Sequence, residues 1–339
     1  MAHELEQFND GSTAFVSGNN IDPWHRLGTV LPTGLTADQA LELAYLRDWD
    51  VRKVQALTTL EQITADGVTT DIAAVPGQFA IVRTNPFTKK AEPLGTTGGV
   101  VGTKYQPFQN EQAVEFLAAV TNEYSDAEFE TAGSIRGGTQ VFVSMKLTNF
   151  MIGGVDAHNM YLVYLLNHAT GANQAFPTTI RVVCANTADW AVQSARYTFR
   201  HSASIEARHQ EARDALKMSF NYNAMFQAAA ESMLKQAMDL DEFRKVCDGV
   251  WPQPDAEAAD LARKRWDERR SQLRQLFVFA DTQENIRFTK WGAFNAIVEY
   301  QDHVASSRGN SAAEKAEVRA LRTIDGSPVK EKAFALLSA

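Results

Sequence analysis

The chain has 339 residues, 45% of them hydrophobic and 22% charged, which is close to the average for soluble globular proteins. Its 33 Lys and Arg residues against 41 Asp and Glu residues give a formal net charge of -8. This balance excludes a cationic coat over the whole surface and leaves nucleic-acid binding to local basic patches. No apolar run approaches the roughly 20 residues of a membrane span, and the first residues lack the features of a signal peptide. We therefore expect a cytoplasmic protein with one large domain or two unequal ones.

A helix and several short strands are predicted in the first third of the chain. Thr36 has the position of an N-cap, so a helix is expected to begin directly after it. Runs rich in β-branched residues follow at 49–82, and Asp66-Gly67 between two of them predicts a hairpin. A second helix is predicted to begin at Asn110, because apolar residues recur there at helical spacing.

Extended segments dominate the middle of the chain. The segment YLVYLL is apolar on both faces, which indicates a strand covered from both sides. A polar cap at Asn186-Thr187 predicts a helix after the last strand. The predicted strands lie near 127–135, 139–147, 160–168 and 174–183.

The chain after residue 203 has helical periodicity to its end. Helices are predicted from Ser204 to about Met238, from Leu240 to near Gly249, over the charged segment that begins at Asp255, over 290–305 and over 327–337. We predict an α+β fold with two parts. Residues 1–203 form a mixed part with an antiparallel sheet and packing helices, and residues 204–339 form a helical part.

The two cysteines predict no site. Cys184 and Cys247 are far apart and lack the CxxC or CxxH spacing of a zinc site. No histidine or other base near Cys184 in the sequence supports a nucleophile. Both are expected to be reduced thiols, as in most cytoplasmic proteins.

The histidines also predict no catalytic or metal site. His25 follows Trp24 and lies near Asp22, a pattern that suits a general base but more often marks a ring packed against a neighbouring surface. His201 and His209 are eight residues apart, which is not the i, i+4 spacing of a helical metal pair. We therefore expect no catalytic residues, no metal and no cofactor.

A glycine-rich segment precedes Lys104 and Tyr105. It matches neither GxxxxGK[ST] nor GxGxxG, so Gly98-Gly99 is expected to form a tight turn rather than a phosphate cradle. Lys104 and Tyr105 are nevertheless placed to face a ligand from the following extended segment.

Arginines occur at unusual places in the central segments. Arg136 stands before a glycine pair at a predicted hairpin tip, where it is either a phosphate ligand or an ordinary solvated residue. Arg181 interrupts an apolar strand, and because an unpaired buried charge is costly, it is expected to face solvent, a carboxylate or a polyanion. Arg196, Tyr197 and Arg200 combine cations with an aromatic ring, which suits single-stranded nucleic acid, although a sheet-to-helix junction with core aromatics has the same pattern.

The segment ARKRWDERRSQLRQ is strongly basic, but its basic residues alternate with acidic ones. This alternation favours a solvated or partner-facing helix over a direct DNA reader.

Several segments resemble the phage/plasmid-like protein family, domain of unknown function 932. They are PWHRLG, KYQPFQN, ETAGSIRGGTQVFVS, TTIRVVCANT, RHSASIEARHQEA and KWGAFNAIVEYQDH. Arg26 departs from the glycine often found in the family at this place. The resemblance covers nearly the whole chain and implies a protein of a phage or mobile element in the bacterial cytoplasm.

A looser resemblance concerns the predicted architecture. A helix, a curved antiparallel sheet with a hairpin, and a packing helix are similar to the core of RecT- and Erf-type single-strand annealing proteins. That resemblance implies rings or filaments that hold single-stranded DNA in a basic, sheet-lined groove without ATP. Because fold does not fix function, this is an analogy.

The leading hypothesis is therefore a single-stranded DNA-binding and annealing protein of recombination. Homo-oligomerisation and a phage nuclease partner would involve its helical part. The predicted DNA-binding residues are Lys104, Tyr105, Arg136, Arg181, Arg196, Tyr197 and Arg200. Two alternatives stay open: an enzyme acting on a small metabolite or nucleotide near the Trp24-His25 segment, and a phage structural or host-interaction protein.

Overall fold

The computed structural model describes residues 5–21, 27–64, 67–94, 100–123, 126–168, 172–181, 197–199, 205–255, 257–305 and 327–338. The strands in these ranges are β1 (Phe15–Ser17), β2 (Thr29–Val30), β3 (Arg52–Thr64), β4 (Gly67–Thr84), β5 (Ala91–Pro93), β6 (Val100–Val101), β7 (Glu128–Ile135), β8 (Gln140–Ile152), β9 (Asp156–Asn167), β10 (Asn173–Arg181) and β11 (Tyr197–Phe199). The helices are α1 (Ala37–Leu43), α2 (Asn110–Glu123), α3 (Ile205–Leu234), α4 (Leu240–Val250), α5 (Asp260–Phe279), α6 (Lys290–Glu299) and α7 (Pro328–Ser338). The predicted α+β class is confirmed.

A seven-stranded sheet in the order β11-β10-β9-β8-β7-β1-β2 forms the centre of the first part. Its pairs are antiparallel except for β1 with β2, which are parallel. The β8–β9 hairpin is longer than predicted, because β8 continues to Ile152 and β9 already begins at Asp156. The turn between them contains Gly153 and Gly154 at φ +57° and +74°, a conformation that side chains with a Cβ disfavour.

The first hydrophobic core lies between one face of this sheet and helices α1, α2 and α3. Val141, Val143 and Met145 alternate onto this face and are fully buried. Thr36 caps α1 with a capping box to Gln39, as the sequence predicted for that cap. The apolar residues that recur at helical spacing and those that alternate along the strands therefore pack into one core.

The opposite face of the sheet is also mostly buried. Tyr161, Leu165 and Phe176 of this face are 4%, 7% and 2% exposed. The predicted double-sided burial of the YLVYLL strand is thus confirmed. Because these three residues are buried, this region of the face does not form an open groove that could hold a DNA strand.

A second sheet consists of β3 and β4, with β5 and β6 paired to β4. β3 and β4 pair as the antiparallel hairpin that the sequence predicted, with Thr64 opposite Gly67, while Asp66 lies outside the described residues. Near its base, Ile81 is buried in the first core. Its distal part is exposed on both faces.

The second hydrophobic core lies among helices α3 to α7 and the end of the β8–β9 hairpin. Ile152, Phe226 and Trp291 are buried in it. Helix α3 also supplies Ala215 and Leu216 to the first core. One long helix therefore joins the two cores.

Two helix boundaries in this part differ from the prediction. Helix α3 ends at Leu234, because Asp239 already caps α4 with a capping box to Glu242. The charged helix α5 begins at Asp260 rather than Asp255, where the backbone instead forms a turn with Ala258 N–H donating to Asp255 C=O.

None of the helices in the described ranges combines the length and the hydropathy that crossing a lipid bilayer requires.

Candidate functional site

Arg136 lies in the tight turn that joins β7 and β8, as predicted. It has φ +56°, and its guanidinium donates a hydrogen bond of 2.9 Å to Oε1 of Gln140. The backbone carbonyl of Arg136 accepts a hydrogen bond from the Thr139 hydroxyl. The side chain is half-buried, so the turn holds it in place beside the sheet.

Lys104 and Tyr105 lie in a turn after β6 rather than on a strand. The Tyr105 N–H donates to Gly102 C=O, and the Tyr105 hydroxyl donates to His168 C=O at 2.9 Å. Burial raises the pKa of Tyr105 to about 12. Its ring packs against the first core, whereas Lys104 is exposed.

Tyr197 lies on the short edge strand β11, opposite Ala175. Its half-buried ring packs against the first core. Burial raises the pKa of Tyr197, and the carboxylates of Asp214 and Glu211 on α3 raise it further. The surroundings of this predicted base-stacking residue are therefore acidic.

Arg181 is the last residue of β10 and is paired with His158 of β9. Its side chain, like Arg196 and Arg200, lies outside the part that the structure describes. The same holds for Trp24, His25, Gly98, Gly99, Cys184 and His201.

Arg136 and Arg181 stand at opposite ends of the sheet. Gln140, beside the Arg136 turn, pairs with Asn167, while Arg181 pairs with His158. These two positions on β9 are nine residues apart, which corresponds to roughly 30 Å at the rise of a strand. The two arginines therefore do not converge on one phosphate, although a single strand of several nucleotides covers such a distance.

A buried cluster around Arg83 joins the two sheets. The Arg83 guanidinium makes ion pairs with Glu6 and Glu92 and stacks on the Trp49 ring at 4.1 Å. The Trp49 ring in turn packs beside His168. Because every charged member of this cluster has a charged partner, the cluster is a structural joint rather than a reactive site.

His168 is fully buried next to this joint. Its Nε2 is 2.8 Å from Oδ1 of Asn110, while the Asn110 amide nitrogen donates to Leu46 C=O. Asn110 Oδ1 is thus the acceptor, so His168 carries its proton on Nε2. Burial lowers the pKa of His168 to about 3, with a contribution from the positive charge of Arg83.

A polar cluster around Glu130 lies at the first bulge of β7. Glu130 is 3% exposed, and burial raises its pKa despite hydrogen bonds from Tyr161 and Asn19. Asn19 also donates to Glu128 at 3.0 Å, and the pKa of Tyr161 is raised by its burial and by Glu130. A buried carboxyl with a raised pKa is frequent in active sites, but structural networks produce the same shift.

A second buried pair consists of Asp156 and His158 at the start of β9. His158 Nε2 is 3.0 Å from Asp156 Oδ2, which also accepts from Trp291 Nε1 at 2.8 Å. Both side chains are at most 1% exposed, and the His158 ring contacts Phe150 and Phe226. This geometry resembles a catalytic dyad, but without access for a substrate it anchors the hairpin to α6.

The described residues contain no group of three His, Cys, Asp or Glu side chains that could hold a metal ion. Cys247 is buried in the second core, and burial raises the pKa of its thiol to about 12. A thiol with so high a pKa is a poor nucleophile.

Helix α5 carries a group of five cations, of which Lys264, Arg265 and Arg274 are exposed and two are half-buried, and the exposed acids Asp267 and Glu268 stand among them. We call this group the α5 cationic surface, and it comprises Lys264, Arg265, Arg269, Arg270 and Arg274. In the described part of the chain, no carboxylate lies within 4 Å of four of them, the exception being Arg270, which is 4.0 Å from Asp248. The sequence prediction treated this segment as solvated or partner-facing.

Aromatic rings support three arginines of this surface. The Arg270 guanidinium stacks on Trp266 at 4.4 Å, Arg269 on Trp251 at 5.2 Å and Arg274 on Phe279 at 5.3 Å. The first pair is visible in the sequence as an i, i+4 spacing. The pair of Arg269 and Trp251 forms only in the tertiary structure, so the sequence pattern did not reveal it.

Two depressions lie beside the α5 cationic surface. In the smaller one, Arg270 and Arg274 approach Arg244 of α4, whose own partner is Asp241 at 2.7 Å. The larger one has a volume of about 340 Å³ and is lined by Gln253, Pro254, Asp255, Arg263, Trp266 and Asp267. Three arginine side chains therefore line the smaller depression.

Comparison with protein families gives one match, to the family described as Domain of unknown function (DUF932), over residues 98–324. This match covers two thirds of the chain. The chain belongs to the DUF932 family. The resemblance predicted from its sequence segments is thereby confirmed at the level of the family.

Beyond the DUF932 family, the comparisons give no close relative. No curated protein and no solved structure matches the chain. The resemblance to RecT- and Erf-type annealing proteins therefore finds no support there and stays a hypothesis.

Proposed function

We propose that this DUF932 protein binds single-stranded DNA as a homo-oligomer and anneals complementary strands without ATP. The observation that carries the proposal is the α5 cationic surface, where the exposed Lys264, Arg265 and Arg274 have no carboxylate within 4 Å among the described residues and three guanidinium groups stack on aromatic rings. Cations that meet phosphates beside rings that stack on bases are the common basis of single-strand binding.

The distribution of charge supports the helical part as the binding region. Residues 1–203 contain 13 Lys and Arg against 20 Asp and Glu, whereas residues 204–339 contain 20 against 21. The first part thus has a net charge of -7 and repels a polyanion more strongly than the second. The sheet-side residues predicted from the sequence remain a second candidate surface for the same function.

Binding is measured as fluorescence anisotropy of a labelled oligothymidine at several salt concentrations. The α5 variant carries Lys264→Gln, Arg265→Gln and Arg274→Gln, three exposed residues without ion pairs, so its fold should be unchanged. We expect weaker binding and a salt slope about 2 smaller, because each lost phosphate contact on a single strand removes roughly 0.7.

The control variant has the same loss of three charges at exposed positions elsewhere, as Lys217→Gln, Lys235→Gln and Lys332→Gln. A third variant neutralises Lys104, Arg136, Arg181, Arg196 and Arg200. If only this third variant loses affinity, the protein binds DNA, but the proposed binding site on α5 is wrong. If the unmodified protein binds no single strands at low salt, the proposed function itself is wrong.

A further inference from the structure

The distal part of the β3–β4 hairpin, residues 57–64 and 67–74, projects from the body as a two-stranded ribbon. We call it the arm. Eight residue pairs join its strands, from Leu57 with Ala74 to Thr64 with Gly67. Among the described residues, β3 pairs with β4 alone and this part of β4 pairs with β3 alone. In the described part of the chain, neither outer edge of the arm is therefore covered by a further strand.

One face of the arm carries large apolar side chains in solvent. By the register, Leu57, Ile72 and Val68 point to the same face, and they are 64%, 68% and 62% exposed. The same face nearer the base carries Phe79 and Ile81, which pack into the first core. The row of apolar side chains that packs into the first core near the base thus continues along the arm, where no described residue covers it.

An isolated two-stranded hairpin is at best marginally stable in water. An exposed edge and an exposed apolar face are features that soluble proteins normally cover or interrupt with charge. Residues 57–74 contain no Lys or Arg, and by the register Glu61 is the one charged residue on the face of Leu57, Val68 and Ile72. A covering surface would therefore stabilise the ribbon.

The charge of the arm excludes nucleic acid as that covering surface. Its only charged residues are the acids Glu61 and Asp71, and Asp66 stands between its two strands in the sequence, so a polyanion or an anionic membrane would be repelled. A protein surface with apolar side chains fits this composition.

The area of the arm favours a second copy of the chain over a different protein. Eight pairs give a ribbon about 26 Å long and about 10 Å wide, so one face covers roughly 260 Å², and a single contact buries roughly 520 Å² in total. A specific interface needs about 1,000 Å² or more. If two copies exchange arms about a two-fold axis, this contact forms twice and buries roughly 1,000 Å² in total. Such a doubled contact requires a second copy of the same chain.

We propose that the arm is the self-association element of this protein, and that the Leu57, Val68 and Ile72 face of each arm lies on the body of a second copy. This assignment deepens the homo-oligomer of the proposed function by naming its contact. Its tests are made without DNA, so that their failure is distinguishable from a failure of DNA binding.

The first test is the mass of the full-length protein in solution by light scattering and native mass spectrometry. The arm variant carries Leu57→Ser, Val68→Thr and Ile72→Thr, and the control carries Leu60→Ser and Ala73→Ser on the opposite face. We expect a dimer or larger assembly for the unmodified protein and the control. The arm variant should dissociate at least roughly 100-fold more readily, because each of the two exchanged arms loses three apolar contacts.

Far-ultraviolet circular dichroism and thermal unfolding show whether each variant is folded. An arm variant that unfolds is replaced by a deletion that joins Gln55 to Gln78 through a short turn. The proposal is overturned if the unmodified protein is a monomer, or if the folded arm variant keeps the mass of the unmodified protein.

The second test locates the partner surface. A photo-crosslinking residue at Thr59, on the apolar face, is compared with one at Thr58, on the opposite face, in a mixture of ¹⁴N- and ¹⁵N-labelled chains. We expect crosslinks between copies from position 59 to body residues and far fewer from position 58. Crosslinks that join only arm to arm, or that stay within one copy, contradict the exchange.

Discussion

At the scale of single residues, the buried ionisable side chains are those that a sequence reader would first consider for chemistry. The imidazole of His158 lies at hydrogen-bonding distance from the Asp156 carboxylate, whereas His168 donates to the amide oxygen of Asn110, which does not take up a proton. Both pairs are buried among side chains of the cores. Their role is therefore in stability, and the lowered pKa of buried His168 makes folding sensitive to pH.

His168 predicts a loss of stability in acid. Its pKa falls to about 3 in the folded protein from about 6.5 in the unfolded chain, so the unfolded chain binds the additional proton between these values. Stability is complete above pH 6.5 and decreases as the pH falls towards 3, by about 2 kcal/mol between pH 6.5 and pH 5.

Urea unfolding at pH 7.5 and pH 5 measures this effect. The variant His168→Gln retains a donor for Asn110 but cannot take up a proton, so its free energy of unfolding should change less between the two pH values. An unchanged difference in the variant would show that another group carries the pH dependence.

At the scale of elements, the β7–β8 turn of the seven-stranded sheet packs against residues of the second sheet. Arg136, Gly137 and Gly138 all have positive φ, which gives the turn its tight form. A Cβ built on Gly138 would lie 2.7 Å from the Arg83 guanidinium and 2.8 Å from Leu94. The glycine thus lets the hairpin tip approach the Arg83 joint, which its sequence position alone does not reveal.

The substitution Gly138→Ala should therefore be more destabilising than a glycine substitution in an open turn. Gly154 is the matched control, because it has φ +74° and no atom within 4 Å of a built Cβ. Gly154→Ala should cost about 1 kcal/mol for the backbone conformation alone. Gly138→Ala should cost about 1–3 kcal/mol more for the overlap.

Denaturant unfolding of the two alanine variants gives the comparison directly. Equal losses in both would mean that the turn adapts to a Cβ without disturbing Arg83 or Leu94.

At the scale of the whole molecule, the sequence-based division into residues 1–203 and 204–339 separates an α+β part from a helical part. Helix α3 begins at Ile205, close to this boundary, but it contributes to both hydrophobic cores. The β8–β9 hairpin adds Ile152 to the core of the helical part. Each part therefore completes its core with residues of the other.

This sharing predicts that residues 205–339 do not fold by themselves. Without Ile152 and the Asp156 contact to Trp291, the second core loses buried apolar area and leaves the Trp291 N–H unpaired, which is costly. We expect the isolated fragment to show no cooperative thermal transition by circular dichroism, whereas the full chain shows one. A cooperative transition in the fragment would identify an independent domain.

Periodicity and cap residues determined much of the secondary structure. The cap at Thr36, the helix at Asn110 and the alternation of Val141 and Val143 are local signals, because each depends on side chains a few residues apart. The family was also visible in the sequence. The end of α3 at Leu234 and the start of α5 at Asp260 were not visible in the sequence. The cap of α4 at Asp239 decides the first, and the turn at Asp255 decides the second.

The arrangement of the functional candidates was decided only by the tertiary structure. The distance between Arg136 and Arg181 depends on strand register, and the stacking of Arg269 on Trp251 depends on how two helices pack. The exposure of the arm likewise depends on where the body of the protein ends. Local sequence patterns specify which residues form an element, whereas the surface that an element presents follows from contacts between residues far apart in the chain.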